Sequence, residues 1–582
     1  MRKRRIQGLC ILLILVGIYV FVRMPVLALG FTDWSFLAFW GGMALLAWPL
    51  SALAERFPHL ITRNAWEELL RRLLPWAFKQ RPRVVEITNH RRLAMLMMRY
   101  KAMTFIGAAV LILAFCNFFV FPILLSTPVL FSQQYRNLLG PVTESSFSSD
   151  VAPINLGQIR IVDEEIAARL ADKKIGEIPA LGSEVQLGQM SLQKVRDQLF
   201  YVAPLEYRGF FQWWSNRQKG SQGYVMVSAT NPQDVHLVQQ VNGEDIRLKY
   251  QTKGFFLEDL HRHLYLSGLV DVGIGDLSFE VDDDLHPYWV ATLYRNKIGY
   301  GGSDAVGVAV VDAQSGEIQR YGPEEVPRWV DRVQPEDFLF HQIRDWGAYV
   351  NGFWNTLLAK TGTLRPAGDG LHLIYGDDDN VYWYTGISSS GKDESTVGFV
   401  LVNSRTKEVR WYKVAGANEL SAKKSAEGQV QEKAYRAGSP VLYNIGGVPT
   451  YIMPMKDKEG LLKAVAFVSV ENYNIVGVGA DMESAYRSYR QNLAQTGLVD
   501  LGSGEMKQNM LRGPVSRISQ VVQHGESYYF LMLEGQTPVF MGAASLSPKL
   551  PLVRPGDVVD ISFTAGHGAA PAVLHQFKTD SY

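Results

Sequence analysis

The hydrophobic residues of this chain are concentrated in three runs within its first 131 positions. Each run lacks charged residues, and the three are Leu9–Val22, Trp34–Ala54 and Thr104–Ser126. A helix needs about 20 apolar residues to cross a bilayer, and Arg23 lies where its side chain can reach the lipid headgroups. The pattern therefore predicts three N-terminal transmembrane helices, at about 7–30, 34–54 and 104–126.

Basic residues around these runs predict the orientation of the chain. Four of them precede the first run, and the connection 55–103 has eleven Lys or Arg against four Asp or Glu. Because basic connections stay in the cytoplasm, the residues after about 131 are expected outside it. Cys10 and Cys116 both lie in predicted spans, and an external domain without cysteine suits a bacterial envelope. We predict a bacterial inner-membrane protein, with the lipid bilayer as a partner.

The formal net charge differs between the two sides. The whole chain carries +1, of which the N-terminal basic run contributes +4 and the 55–103 loop +7, while Arg23 and Asp33 cancel, so the residues after 131 carry −10. An acidic external region argues against nucleic acid as its partner. A cleaved signal peptide over residues 1–30 is the alternative interpretation of the first run, and it too leaves the large domain outside.

Beyond a polar, Ser-rich linker at 132–152, the external region contains an internal repeat. Two sixteen-residue blocks align without a gap, Val306–Tyr321 and Val397–Tyr412. Looser copies are Gly223–Val238 and Ala464–Gly479. Each copy has an apolar run, a polar turn and a second short run, which predicts a strand, a tight turn and a strand.

Helical segments accompany these hairpins, so we predict a membrane-anchored α+β protein with tandem hairpin–helix repeats. The predicted helices are Pro335–Lys360, Glu419–Ala437 and Asp481–Gln495. The predicted divisions are a first α+β region at 153–275, one repeat unit at 276–365, and a second unit with a further hairpin at 366–500. Over 513–582, short runs closed by Gly and Pro-Gly-Asp turns predict a small antiparallel β-barrel of OB-like type.

The hairpin of the first block resembles PepSY-type domains, which have an apolar strand, the pattern Asp-x-x-Thr/Ser-Gly-Glu and a second strand. The matching residues are Asp312, Ser315, Gly316 and Glu317. In the second block the corresponding residues are Asn403, Thr406 and Glu408, with Lys407 in place of the glycine. The resemblance implies an extracytoplasmic domain that acts in protease inhibition or envelope regulation, which means binding without catalysis.

Two acidic triplets are the candidate metal-binding residues. They are Asp282, Asp283 and Asp284, and Asp377, Asp378 and Asp379. Clustered carboxylates suit Ca²⁺, but neither triplet has the D-x-D-x-D-G spacing of a calcium loop. Neighbouring residues of an extended chain also point to opposite sides. We favour a solvated acidic turn, with a Ca²⁺ site as the alternative.

An aromatic cluster in the segment YRGFFQWW supplies the candidate partner-binding residues. They are Phe210, Phe211, Trp213 and Trp214. Such a cluster is usually part of a hydrophobic core. The alternative is an exposed surface that lies near the membrane or binds a protein or glycan.

The external sequence lacks the common motifs of nucleophilic and metal-dependent catalysis. We therefore expect a scaffold or regulator, without a cofactor, that binds another envelope protein or a second copy of itself. Two alternatives stay open. One is a hydrolase of the cell wall or another envelope polymer, whose carboxylates come from distant positions. The other is an auxiliary subunit of a membrane transport or secretion complex.

Overall fold

The computed structural model contains two compact units, Met1–Asn492 and Leu493–Tyr582. It describes residues 2–56, 105–151, 156–368, 370–376, 380–389, 395–495, 509–523, 526–536, 538–564 and 572–579. The prediction of a mixed α+β architecture is confirmed, and β-sheets predominate. Nearly all of the basic loop 55–103 lies outside the described residues, as do Asp377, Asp378 and Asp379.

Three helices precede the sheets, and they are α1 Arg2–Arg23, α2 Trp34–Arg56 and α3 Phe105–Ser126. Among the helices in the described ranges, α3 is the one that is long and apolar enough to cross a membrane. Helix α1 ends at Arg23 and does not continue to residue 30 as predicted. The reason is Pro25, which lacks an N–H group and disfavours helical backbone in the residue before it; Met24 has a φ of 46°.

The segment predicted as a linker, 132–152, contains regular structure. Helix α4 Pro128–Asn137 follows α3, and β1 Val142–Ser145 and the single helical turn α5 Phe147–Asp150 come next. Strand β1 pairs in parallel with Val409–Tyr412. The chain beyond α3 is therefore built into the fold from its first residues.

Four sheets, each built around an antiparallel meander of four strands, form most of the first unit. Sheet 1 contains β2 Val185–Leu187, β3 Ser191–Val195, β4 Gln198–Tyr207, β5 Tyr224–Ser228 and β6 Val235–Val238, and the small hairpin β7 Gln240–Val241 and β8 Glu244–Asp245 follows it. Sheet 2 contains β9 Gly273–Val281, β10 Pro287–Ile298, β11 Gly301–Asp312 and β12 Ile318–Tyr321.

Sheets 3 and 4 follow the same plan. Sheet 3 contains β13 Leu364–Pro366, β14 His372–Tyr375, β15 Val381–Ser389, β17 Gly398–Asn403, β18 Val409–Tyr412 and the parallel β1, while β16 Ser395–Thr396 and β19 Gly416–Ala417 pair with each other. Sheet 4 contains β20 Arg436–Ala437, β21 Val441–Ile445, β22 Val448–Lys456, β23 Leu462–Ser469 and β24 Val476–Gly479.

The turn between the third and fourth meander strands has related hydrogen bonds in all four sheets. The residues at its start are Ser228, Asp312, Asn403 and Ser469. Each side-chain oxygen accepts one or two backbone N–H groups two or three residues further on, at 2.8–3.3 Å. The following residue donates its own N–H to a carbonyl near the start of the second strand. Both blocks and both looser copies form the predicted strand, turn and strand.

In sheets 1 to 3, a glycine directly precedes the part of the third strand that pairs with the fourth strand. The three residues are Gly223, Gly307 and Gly398. A Cβ at Gly398 collides with the carbonyl oxygen of Tyr412, and one at Gly307 collides with that of Tyr321. The third and fourth strands therefore approach more closely there than a side chain permits. Sheet 4 has Ala464 at this position.

The helices of the external region are α6 Glu164–Gly176, α7 Pro179–Glu184, α8 Phe210–Asn216, α9 Leu260–Leu266, α10 Glu336–Ala348, α11 Phe353–Leu357, α12 Glu419–Gln429 and α13 Met482–Gln495. Asp163 caps α6, because its Oδ1 accepts the N–H of Ile166 at 3.0 Å. The helix predicted over Pro335–Lys360 is divided into α10 and α11, with Gly352 at a φ of 79° directly before α11.

Sheet 1 contributes to two parts of the hydrophobic core. Val202 and Tyr224 pack with Phe279 and Trp289 of sheet 2. Its other face, which includes Val225, packs with α6 and sheet 3. Burial on both faces leaves the edges and ends of the strands as the places where sheet 1 meets solvent.

A buried asparagine joins two N-terminal helices to sheet 2. Asn117 lies in a π-helical turn of α3, Cys116–Val120. Its Nδ2 donates to the carbonyl of Phe31, at 3.2 Å, and to the hydroxyl of Ser35, at 2.5 Å. Its Oδ1 accepts from the hydroxyl of Tyr300, in the turn between β10 and β11. Insertions of this kind in helices are frequent at functional positions.

The second unit is a closed barrel of five strands. They are β25 Asn509–Gln523, β26 Glu526–Leu533, β27 Phe540–Ala543, β28 Val558–Thr564 and β29 Ala572–Thr579. They pair in the order β25-β26-β27-β29-β28, and β27 and β29 are parallel. The core of the barrel includes Leu531, Phe540 and Ile561.

The close approach at Gly398 generates a stability prediction. Gly398→Ala forces the backbone of β17 and β18 apart, and we expect a loss of about 1–3 kcal/mol in the free energy of unfolding. The matched control is Gly428→Ala in α12, where a Cβ meets no atom within 4 Å; it is expected to be neutral or to stabilise by up to about 1 kcal/mol. Thermal unfolding of the detergent-solubilised chain measures both, and equal melting temperatures for the two variants contradict the prediction.

Candidate functional site

The acidic triplet Asp282–Asp284 forms the turn between β9 and β10. Asp282 Oδ1 accepts the N–H groups of Asp284 and His286, at 3.0 and 2.8 Å. Asp283 Oδ1 accepts the N–H of Arg196 at 3.2 Å, and its carbonyl accepts Arg196 Nε at 2.7 Å. These bonds order the acidic turn, and the choice between a solvated turn and a Ca²⁺ site stays a prediction. Among the residues that the structure describes, no group of three or more His, Cys, Asp or Glu is placed to hold a metal ion.

The aromatic cluster of α8 is divided between the interior and the surface. Trp213 is 3% exposed, and its Nε1 donates to Glu258 Oε2 at 2.6 Å. Phe210, Phe211 and Trp214 are exposed, Phe211 to 79%. Of the four candidate partner-binding residues, Trp213 therefore belongs to the core, and Phe210, Phe211 and Trp214 belong to the surface. These three lie on the outer side of this short helix, where packing on sheet 1 does not reach them.

An open groove of about 710 Å³ lies beside sheet 1. Its floor is apolar and consists of Val195, Phe200, Met226, Ile246 and Leu285. Its rim is polar, and the main rim residues are Arg196, Gln198, Gln222, His236, Gln239, Gln240, Asp245 and Arg247. An apolar floor with convergent polar groups is the usual composition of a binding site. Sequence reasoning missed this groove because its lining comes from several separate segments.

Hydrogen bonds between side chains order the rim of the groove. Arg247 Nη2 lies 2.7 Å from Asp245 Oδ2, and Gln240 Nε2 donates to Asp245 Oδ1 at 2.8 Å. The bonds from Gln240 and Arg247 hold the pKa of Asp245 below its ordinary value. Gln239 Nε2 donates to Gln222 Oε1 at 3.2 Å. The rim thus presents amide groups and the guanidinium groups of Arg196 and Arg247, the latter paired with Asp245.

Two carboxylates meet in the interior where sheets 1, 2 and 3 adjoin. Glu280 of β9 is 0% exposed and Asp331 is 6% exposed. Glu280 Oε2 accepts the N–H of Asp331 at 3.2 Å. Asp331 Oδ2 accepts the N–H of Lys194 at 2.8 Å and the hydroxyl of Tyr375 at 3.2 Å. We call this pair the buried carboxylate junction.

Burial sets the protonation of this junction. Removal from water, followed by the nearby charge of Asp331, raises the pKa of Glu280 to about 7. Removal from water raises the pKa of Asp331 to about 6, although bonds from Lys194 and Tyr375 oppose the rise. Raised carboxyl pKa values are a property of acid–base sites. Neither carboxylate lines the cavities of about 710 and 600 Å³ that border sheet 1.

A second buried polar cluster lies where sheets 1, 3 and 4 approach one another. The backbone N–H of Arg160 donates to the hydroxyl of Tyr443 at 3.0 Å, and Lys456 Nζ lies 2.9 Å from Asp163 Oδ2. Burial, followed by the charge of Arg160, lowers the pKa of His372 to about 4. The imidazole of His372 is therefore neutral, because burial and the neighbouring cation both oppose its protonation.

Comparisons with known proteins identify no family for this chain. No family model and no curated protein matches the sequence. Three solved structures share a distant likeness: a polysaccharide lyase Uly1 (8% identity, 67% of this chain and 76% of that one), a Trypanosoma rangeli sialidase (7%, 68% and 55%), and a GH43_1 enzyme from Xanthomonas citri (8%, 68% and 92%). All three TM-scores are 0.16, too low to support an argument about function.

The buried carboxylate junction generates a pH prediction. Burial raises the pKa of Glu280 to about 7 in the folded chain, whereas the ordinary pKa of the unfolded residue is 4.5. The junction therefore costs stability increasingly as the pH rises through this window. We expect Glu280→Gln to raise the free energy of unfolding by ~1–3 kcal/mol at pH 8 and to change it little at pH 4.5.

Thermal unfolding of the solubilised chain over this pH range measures the difference. The control is Glu144→Gln, since Glu144 is an exposed carboxylate paired with Lys413, and no comparable pH-dependent gain is expected from it. Parallel pH profiles for the wild type and Glu280→Gln contradict the prediction.

Proposed function

We propose that this protein is an extracytoplasmic binding protein of the bacterial inner membrane, a scaffold or regulator that holds another envelope component in the groove beside sheet 1. The observation that carries the proposal is the contrast between two sites. The groove is open, with an apolar floor and a hydrogen-bonded polar rim. The residues with the most strongly shifted carboxyl pKa values are enclosed, and their oxygens accept hydrogen bonds from the protein.

Membrane anchoring is supported by the N-terminal helices. Helix α3 is long and apolar enough to span a bilayer, and α1 and α2 contain the apolar stretches Leu13–Arg23 and Trp34–Leu45. We propose that all three cross the membrane, with the basic N-terminus and the 55–103 loop in the cytoplasm. The four sheets and the barrel then lie outside.

The four sheets are proposed to be copies of one unit. The shared turn hydrogen bonds support this, as does the glycine that three of them place directly before the part of the third strand that pairs with the fourth. The PepSY-type resemblance depends on the Asp312 turn, which is one instance of the shared pattern. For the second unit, the strand order and the parallel pairing of β27 with β29 support an OB-like barrel.

One observation favours the hydrolase alternative, namely the convergence of Glu280 and Asp331 with raised carboxyl pKa values. A glycosidase uses such a pair only when a sugar can lie between the two carboxyl groups. Here the backbone N–H of Asp331 itself occupies one Glu280 oxygen. This arrangement suits a structural role better than hydrolysis.

The groove generates a binding prediction with a matched control. Arg247→Glu reverses the charge at this position of the rim and breaks the 2.7 Å ion pair between Arg247 and Asp245. Loss of one interface arginine worth ~1.4 kcal/mol reduces binding roughly tenfold. Arg295→Glu breaks a surface pair of the same length, with Asp271, outside the groove lining, and is expected to have no such effect.

The measurement is gentle detergent extraction of the tagged full chain, followed by mass spectrometry of the proteins that stay bound. We expect a stoichiometric partner with the wild type and with Arg295→Glu, and about a tenfold loss of it with Arg247→Glu. A partner that both variants retain points to contact through the membrane helices, as in the transport-complex alternative. Recovery of the wild-type chain alone removes the support for a binding function.

A further inference from the structure

The exposed part of the α8 cluster continues into a larger apolar patch. We define the α8 patch as Phe210, Phe211, Trp214, Phe256 and Leu257, all of them exposed. The buried Trp213 holds its two segments together, since its ring lies 5.7 Å from that of Phe210 and 5.8 Å from that of Phe256. Aromatic side chains exposed side by side in this way mark an interaction surface.

Direct contacts place the α8 patch beside the outer end of α1. Arg262 Nη1 donates to the carbonyl of Phe256 at 2.5 Å. The same side chain donates through Nε to the carbonyl of Phe21 at 2.9 Å, with its guanidinium 4.4 Å from the Phe21 ring. Phe21 lies in the last turn of α1. One arginine side chain therefore spans the distance from the patch to the end of the helix.

A second apolar patch lies beside the end of α3. We define the α11 patch as Trp354, Leu357 and Leu358, which are all exposed, Leu358 to 80%. Helix α11 packs against α4, and α4 begins two residues after α3 ends. Val129 and Leu130 in the first turn of α4 are exposed as well. The two patches thus adjoin the ends of two different N-terminal helices.

We infer that the α8 and α11 patches enter the headgroup and acyl-chain boundary of the outer leaflet, in the membrane that α3 spans. Trp and Phe are the residues that favour this boundary, because an amphipathic or apolar ring is stable at headgroup level. Arg217 lies 3.8 Å from the ring of Trp214, so a cation able to pair with lipid phosphate accompanies the rings. The occupant is the bilayer because the α8 patch contacts the end of α1 through Arg262, and the α11 patch contacts α4, which directly follows α3.

This inference rests on the membrane anchoring proposed above, and it adds two contacts that hold the external domain against the surface. Its test uses the full chain with Cys10→Ala and Cys116→Ala, reconstituted in vesicles of phosphatidylethanolamine and phosphatidylglycerol. Single substitutions Phe211→Cys, Leu358→Cys, Ile112→Cys and Tyr473→Cys carry a nitroxide label. Ile112 is an exposed residue of α3, and Tyr473 is half exposed in a turn of sheet 4.

The measurement is the ratio of nitroxide collisions with oxygen, which concentrates in the bilayer, to collisions with a water-soluble nickel chelate. We expect ratios at 211 and 358 several-fold above that at 473 and approaching that at 112. A high ratio at 112 with water-like ratios at 211 or 358 overturns the inference and leaves the anchoring intact. A water-like ratio at 112 overturns the anchoring itself. Low collision rates with both reagents at 211 indicate cover by protein and also overturn the lipid contact.

Discussion

The path of the chain in all four sheets depends on one local interaction, in which a side-chain oxygen at the end of the third strand accepts backbone N–H groups. Asp312 and Asn403 each accept two of them, as amide and carboxylate side chains do in tight turns. The next residue donates to the start of the second strand, so the turn also fixes the third strand against the second. A one-residue slip in a strand reverses its faces. The turn therefore decides which side chains of sheet 1 face sheet 2 and the groove and which face α6 and sheet 3.

The carboxylate junction and the groove rim differ in their access to water. Glu280 and Asp331 have been removed from water at a cost that their raised pKa values record. A general acid also needs a substrate within hydrogen-bond distance, and the oxygens of this pair already accept bonds from the protein itself. The polar residues of the groove rim, by contrast, lie at the surface. The amides of the rim donate to a neighbouring amide or carboxylate at the surface, and they can exchange those bonds for bonds to a partner at little cost because water already competes for them.

The features that could be predicted from the sequence are local ones. Hydrogen bonds between residues at most three positions apart form the Asp312 turn, the Asn403 turn and the Asp163 cap. Asp and Asn are typical of such turns and caps, so the residue types indicate them. The groove and the carboxylate junction could not be predicted, because their residues come from separate segments of the chain; Glu280 and Asp331 are 51 positions apart. The aromatic segment YRGFFQWW could be predicted in part. Its composition indicated an unusual surface or core, but the orientation of a seven-residue helix on sheet 1 decided that Trp213 is buried and Phe211 exposed.

The coupling between the helices and the external sheets follows from the cost of burying an amide. Asn117 stands in an otherwise apolar helix, where an unpaired side-chain amide is strongly unfavourable. Its partners come from the chain around α2 and from Tyr300 of sheet 2, so separating sheet 2 from the helices leaves that amide short of a partner. The segment after α3 reinforces the same connection, since α4 and β1 continue directly into the fold. A domain attached in this manner keeps a constant orientation relative to α2 and α3. The proposed scaffold function requires that property, because a groove that serves a membrane partner has to be presented at a constant height.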